Sequence, residues 1–307
     1  MITTLSNLSW LAHSNLDNMT PATRVTLIIL TSLLILLGLA GNCFVLLASL
    51  KYRAIDIDRI SILLIENLAA ADFLIIIIEF VPLLVTLIAN DWVLGDIICS
   101  VQSYGKFLPF VAETLLIMAM ACYRAHVVLH PPLVPIRVVW FYIVVVVAWL
   151  VPALNCLVIQ VNKPTAHFSP PQLTCTISDV ADTELDIWFV VWGGATAALP
   201  MIVTITANII LLVKVFYITR SMGEALPNRG AIVTILWVGL AFILSWAPTL
   251  AIWTVEALHL EVVPVWGVLF SRYCLTINVV SNPVIYVLSN RRFKLFVIQI
   301  WTERALS

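Results

Sequence analysis

Charge is scarce in this chain. Only 11% of its 307 residues are Asp, Glu, Lys or Arg, against about a quarter in a soluble domain. With 62% hydrophobic residues and a mean hydropathy of +1.06, an ordinary soluble globule is excluded. A Gly-rich phosphate loop is missing, and so is any metal-ligand cluster. The five histidines are scattered. No soluble catalytic domain is expected, and the chain is not expected to be an enzyme. The inverted repeat that many transporters carry is missing too. The first 24 residues lack a basic start followed by a short apolar stretch, so no cleavable signal peptide is expected. The net charge of −1 says nothing of partners, and nucleic acid is not expected among them.

What the chain has is long apolar runs. They span about residues 25–50, 60–88, 97–128, 138–160, 185–218, 229–258 and 264–288. A helix needs about 20 apolar residues to cross a bilayer, so the expected fold is an all-α membrane protein, a seven-transmembrane helix bundle. Lys and Arg set its orientation. Twelve fall on the side of the loops after spans one, three and five, and four (Arg24, Lys106, Lys163, Arg272) on the other. The expected organisation is an extracellular N-terminal segment 1–24, a bundle 25–288, and a cytoplasmic amphipathic eighth helix with a short tail over 289–307. In that last segment Phe293, Phe296, Val297 and Ile300 share a face, beside Arg291, Arg292 and Lys294, which suits a helix lying in the membrane interface. The location is then the plasma membrane, multi-pass, with the N-terminus outside. Glycosylation sequons at Asn7 and Asn18 agree with it. Cys99 and Cys175 fall on the outer, oxidising side and are expected to pair. The stretch Leu173 to Ile177 alternates as one arm of a small outer hairpin.

Nearly every run holds a polar or kinking residue at a depth where lipid rejects it. Lys106, Glu113 and Arg124 are separated by 7 and 11 residues. Those steps close to within about 20° of whole turns, so the three share one stripe of the third span. Asp72, Glu113, Asn278 and Asn282 are placed to converge on a small cation, sodium. Two carboxylates so close cannot both stay charged without a cation, and a shared proton is the alternative. No other cofactor is expected. Pro248 predicts a kink in the sixth span beside Trp246, with Trp253 on the same face, and Pro283 predicts another in the seventh.

These residues resemble the rhodopsin-like (class A) G-protein-coupled receptors over about residues 25–300. Gly41-Asn42 with Val45, Leu68-Ala69-Ala70-Ala71-Asp72, Trp92-Val93-Leu94-Gly95 before Cys99, Trp149, Pro200, Phe242 with Ser245-Trp246-Ala247-Pro248, and Asn282-Pro283-Val284-Ile285-Tyr286 fall in that family's order. The resemblance implies an extracellular ligand, and an outward swing of the sixth helix that opens a cytoplasmic pocket lined by Arg124 for a heterotrimeric G protein. The switch set is then Tyr123, Arg124, Asn208, Trp246, Pro248, Pro283 and Tyr286. The chain departs from the family pattern at Tyr123-Arg124-Ala125, where an acid and a tyrosine usually flank the arginine. It departs again at Asn208, Thr114 and Asn228. Raised basal activity or unusual coupling is expected. Thr302 and Ser307 are the sole hydroxyls after residue 300, so arrestin capture is expected to be weak.

The ligand-binding set expected at the outer mouth is Glu79, Lys106, Phe107, Phe110, Trp192, Trp246, Trp253 and Arg272. Lys106 stands where amine receptors carry an acid, and Thr276 where opsins carry their lysine. Lys106 and Arg272 can receive an anion, or Lys106 can pair internally with Glu79. Mixed charge, aromatics and the hairpin favour a peptide, and Phe270 to Asn278 looks like several peptide-hormone receptors. An anionic lipid or small organic acid is the alternative. From another class stand a membrane transporter or channel, and a receptor-fold partner that does not signal.

Overall fold

The computed structural model describes residues 19–52, 59–129, 137–162, 165–169, 173–177, 191–192, 194–222, 229–257 and 265–289. Among the described residues, seven long helices and one hairpin follow in chain order: α1 (Pro21–Tyr52), α2 (Arg59–Ala89), α3 (Gly95–Leu129), α4 (Val138–Asn162), β1 (Ala166–Ser169), β2 (Thr174–Ile177), α5 (Leu199–Met222), α6 (Arg229–Ala257) and α7 (Val265–Ser289). Six of the helices are long and apolar enough to cross a membrane, and α6 contributes the apolar segment Leu236–Ile252. Sequons Asn7 and Asn18, the 290–301 helix, Asn228, and the side chain of Trp253 lie outside the described residues.

The apolar surface is turned outward. Leu36 and Leu37 of α1, Val146 and Leu150 of α4, Phe216 of α5 and Leu244 of α6 are all exposed. Polar groups lie inside instead, including Asn42, Asp72, Glu113 and Asn282. That inversion suits lipid as the surrounding solvent. α3 packs against α2, α4 and α5, while α7 bridges α6 and α1. The main core gathers Leu64, Leu68, Leu116, Phe242, Trp246 and Tyr286.

α1 starts earlier than hydropathy predicts. Thr20 caps it, its Oγ1 accepting from the Thr23 N–H at 3.2 Å, and Pro21 takes the first helical position, where its missing N–H costs nothing. The third span, expected unbroken, is interrupted at Lys106 between Gly95–Gly105 and Phe107–Leu129. Pro109 has no N–H for the Gly105 carbonyl, so the ladder slips there.

Prolines shape the other helices in the same way. A π turn, Ile76–Phe80, precedes Pro82 in α2, and another, Gly194–Ala198, precedes Pro200 at the head of α5. In a regular helix Pro200 would leave the Thr196 carbonyl without a donor. Thr114 of α3 donates to that carbonyl at 2.7 Å. Pro283 likewise strands the Val279 carbonyl of α7, and Asn42 Nδ2 of α1 donates to it at 3.2 Å. Gly41 makes this approach feasible, since a Cβ there would stand 2.9 Å from the Pro283 ring. Trp149 of α4 donates to Asn67 Oδ1 of α2 at 2.9 Å.

Candidate functional site

Three stations lie along the bundle axis. At the deepest, Asp72 of α2, Glu113 of α3, and Asn278 and Asn282 of α7 come together, none more than 1% exposed. Asn282 Nδ2 donates to Asp72 Oδ2 at 3.1 Å, and Asn278 Nδ2 donates to Glu113 Oε1. Asp72 Oδ1, Asn278 Oδ1 and Asn282 Oδ1 are buried with no hydrogen-bond partner among the described residues. Asp72 and Glu113 feel each other's charge. Oxygen donors of this kind suit a hard monovalent cation, and the two carboxylates require a cation or a proton with them. The residues present therefore fit sodium.

The outer station decides between the two alternatives left open for Lys106. Glu79 pairs with Arg272 of α7, Oε1 to Nη2 at 2.7 Å, and not with Lys106. Glu79 sits in the π turn. That extra residue re-aims every side chain above it. Lys106 instead donates to the Cys175 carbonyl at 3.2 Å and lies 5.9 Å from the centre of the Phe107 ring. It also feels the charges of Glu79 and Arg272.

Above these groups lies the hairpin, with β1 and β2 paired antiparallel, Phe168 opposite Cys175. The expected Cys99–Cys175 disulfide is present. The Cys175 N–H donates to Gln102 Oε1 at 2.9 Å. Phe168 stacks on Trp92 at 5.6 Å. Leu173 was expected in the strand, but it leaves it. Its φ is 51°, its carbonyl accepts from Arg272 Nη1 at 3.4 Å, and its side chain, 1% exposed, packs with Ile75, Phe80, Leu83 and Val279. Sequence reasoning missed Leu173 and Gln102 as site residues. Neither carries a signal in a pattern of hydropathy or charge.

Between these levels lie packed aromatics. Phe110 meets Trp246 edge-on at 6.1 Å, and Trp246 meets Phe242 at 5.9 Å. Trp192 is half-buried above the π turn of α5, its carbonyl accepting from Thr196 Oγ1 at 2.7 Å. At the inner station Arg124 Nη2 donates to Ser61 Oγ of α2, and the guanidinium lies 5.4 Å from the Tyr123 ring centre. Tyr123 packs edge-on against Phe141 of α4 at 5.2 Å. Ser61 was also missed, being one ordinary serine near a helix start. Tyr286 is buried in the main core, Pro283 is buried, Pro248 is half-buried, and Asn208 is buried where α5 meets α6. Lys106, Glu113 and Arg124 each turn from α3 toward another element: β2, α7 and α2.

The family model described as "7 transmembrane receptor (rhodopsin family)" matches residues 41–286. Melatonin receptor type 1C of Xenopus laevis is 21% identical over 274 residues, covering 85% of this chain and 63% of that protein. Mouse melatonin receptor type 1A is 22% identical over 276 residues, covering 85% and 75%. Mouse melatonin receptor type 1B is 25% identical over 285 residues, covering 86% and 75%. The chain therefore spans under two thirds of the first of these relatives. Its matched length runs from the Gly41 contact on α7 through Tyr286, enclosing all three stations, and the chain belongs to the rhodopsin family of seven-transmembrane receptors, which are multi-pass membrane proteins and not enzymes.

Proposed function

We propose that this receptor sits in the plasma membrane with its N-terminus outside, binds a small organic acid at its outer station, and activates a heterotrimeric G protein as the inner end of α6 moves outward. The observation that carries the ligand class is Lys106. Its ammonium reaches one carbonyl and one ring, while the nearby acid, Glu79, is engaged by Arg272 at 2.7 Å. A cation held among helices is strongly favoured by an anion beside it, and a carboxylate supplies one. The relatives' names point to melatonin, a small molecule, which supports a ligand of modest size. The 12-to-4 bias of basic residues supports the orientation.

A peptide is the second reading, and the hairpin favours it. It lies beside mixed charge, Glu79, Lys106 and Arg272, at the outer station, and a peptide can meet such a surface with charged and apolar side chains together.

The test is a signalling screen of organic-acid and peptide libraries against wild type and Lys106→Gln, with Arg124→Ala as the coupling control. Acid agonists should emerge, with potency falling about 10–100-fold in Lys106→Gln. Agonists that are neutral, or acids indifferent to Lys106→Gln, would overturn the acid reading.

We further propose sodium as the cation at Asp72, Glu113, Asn278 and Asn282. Bound there, it would supply the positive charge that lets both carboxylates stay ionised.

A further inference from the structure

Between α5 and α6, on the lipid-facing side, lies a groove of about 430 Å³. Ile205, Ile209 and Leu212 form one wall, and Leu236, Trp237, Leu240 and Ile243 form the other. Trp237 and Leu212 are more than half exposed at the rim, so the groove opens toward hydrocarbon. Its one polar lining residue is Asn208. That side chain is 7% exposed, and neither Nδ2 nor Oδ1 has a hydrogen-bond partner among the described residues. Opposite it stands Gly239, where any Cβ would overlap the Asn208 amide. A side chain at 239 would fill the place that the amide now takes. Native proteins seldom bury a carboxamide with both ends unmet, and each such group calls for a partner.

We propose that this groove is a binding site for a neutral, membrane-dissolved amphiphile whose head donates and accepts a hydrogen bond at once, an amide or an alcohol, on an apolar body. The two open ends of Asn208, one donor and one acceptor, set the head group. Depth sets its neutrality. Asn208 lies six residues above Lys214, about 9 Å at 1.5 Å per residue, where a charged head is disfavoured. Volume sets the size, since small-molecule sites run from about 300 to 1,000 Å³. The apolar walls and open rim suit entry from the bilayer. The site is separate from the outer station, and its existence does not depend on the ligand class proposed there.

The test uses the full chain in phosphatidylcholine nanodiscs. Three photoreactive probes carry the same diazirine-bearing twelve-carbon chain: a primary amide, a primary alcohol and the bare hydrocarbon. Labelling is read by mass spectrometry of the 205–212 and 236–243 segments. The amide, the alcohol or both should label saturably, and whichever does identifies the head. The bare hydrocarbon should label without saturation. Asn208→Leu should weaken half-saturation by about tenfold or more, with unchanged or higher Tm because the substitution removes no protein hydrogen bond. Trp237→Ala, confined to the rim, should also weaken labelling. Saturation by the hydrocarbon equal to that by the polar probes, or labelling indifferent to Asn208→Leu, would overturn the proposal. So would wild-type strength in Trp237→Ala.

Discussion

Single residues decide the chemistry at each station. Asp72 presents one bonded and one open oxygen among three open oxygens. If sodium holds this cluster, replacing choline chloride with NaCl should raise the wild-type Tm, because a ligand that binds only the folded state stabilises it. Asp72→Asn should flatten that response. A wild type equally stable in both salts would leave a shared proton as the neutralising species. At the inner station the Ser61 hydroxyl is a tether on Arg124. Ser61→Ala should therefore raise agonist-free signalling about twofold or more in cells, and a rate no higher than wild type would show that the tether does not restrain the switch. Asp72 and Asn282 were legible in the sequence because an amide or acid in hydrocarbon has to face a partner. Ser61 and Leu173 were not, because a serine is at home on either face of a membrane helix and nothing in the local pattern marks Leu173 as leaving its strand.

At the scale of elements, prolines organise the bundle more than any hydropathy pattern shows. The link from Thr114 to the Thr196 carbonyl joins α3 to α5 where Pro200 opens the ladder. Thr114→Val should cost about 1 kcal/mol, the usual range for one hydrogen bond inside a membrane protein, read as a drop of a few degrees in Tm in detergent. In a Pro200→Ala background the N–H at 200 can serve the carbonyl itself, and the same substitution should cost less. Equal losses in both backgrounds would deny the pairing. Of the two alternatives for Lys106, pairing with Glu79 is not realised, for a related reason. Counting at 3.6 residues per turn holds as far as Asp72, but one π turn at 76–80 advances everything above it by about 100°. Glu79 therefore reaches α7 and not α3. The spans, and the shared face of Glu113 and Arg124 on α3, survive such slips, because they depend on run lengths or on the unbroken stretch from Phe107 downward.

At the scale of the whole molecule, the arrangement sorts charge by side. The orientation has a direct check. Asp91→Cys, at the loop before α3, should react with a membrane-impermeant maleimide on intact cells, and Arg137→Cys should react only after permeabilisation. The reverse pattern would invert the receptor and put the hairpin in the cytoplasm. The family, the bundle and the disulfide were readable from residue order and depth. The seating of the hairpin was not, because it depends on one left-handed residue, Leu173, with φ at 51°.

The two carbonyls left over by Pro200 and Pro283 are each claimed by a helix made earlier in the chain, Thr114 in α3 and Asn42 in α1. Synthesis runs from the N-terminus, so each donor is already embedded when its proline-bearing helix leaves the ribosome. A late helix thus enters the membrane with a bare polar group that a neighbour already in place can cover. The ordering of the chain thus sets each cover in place before the group it covers: the donors on α3 and α1 precede the carbonyls of α5 and α7.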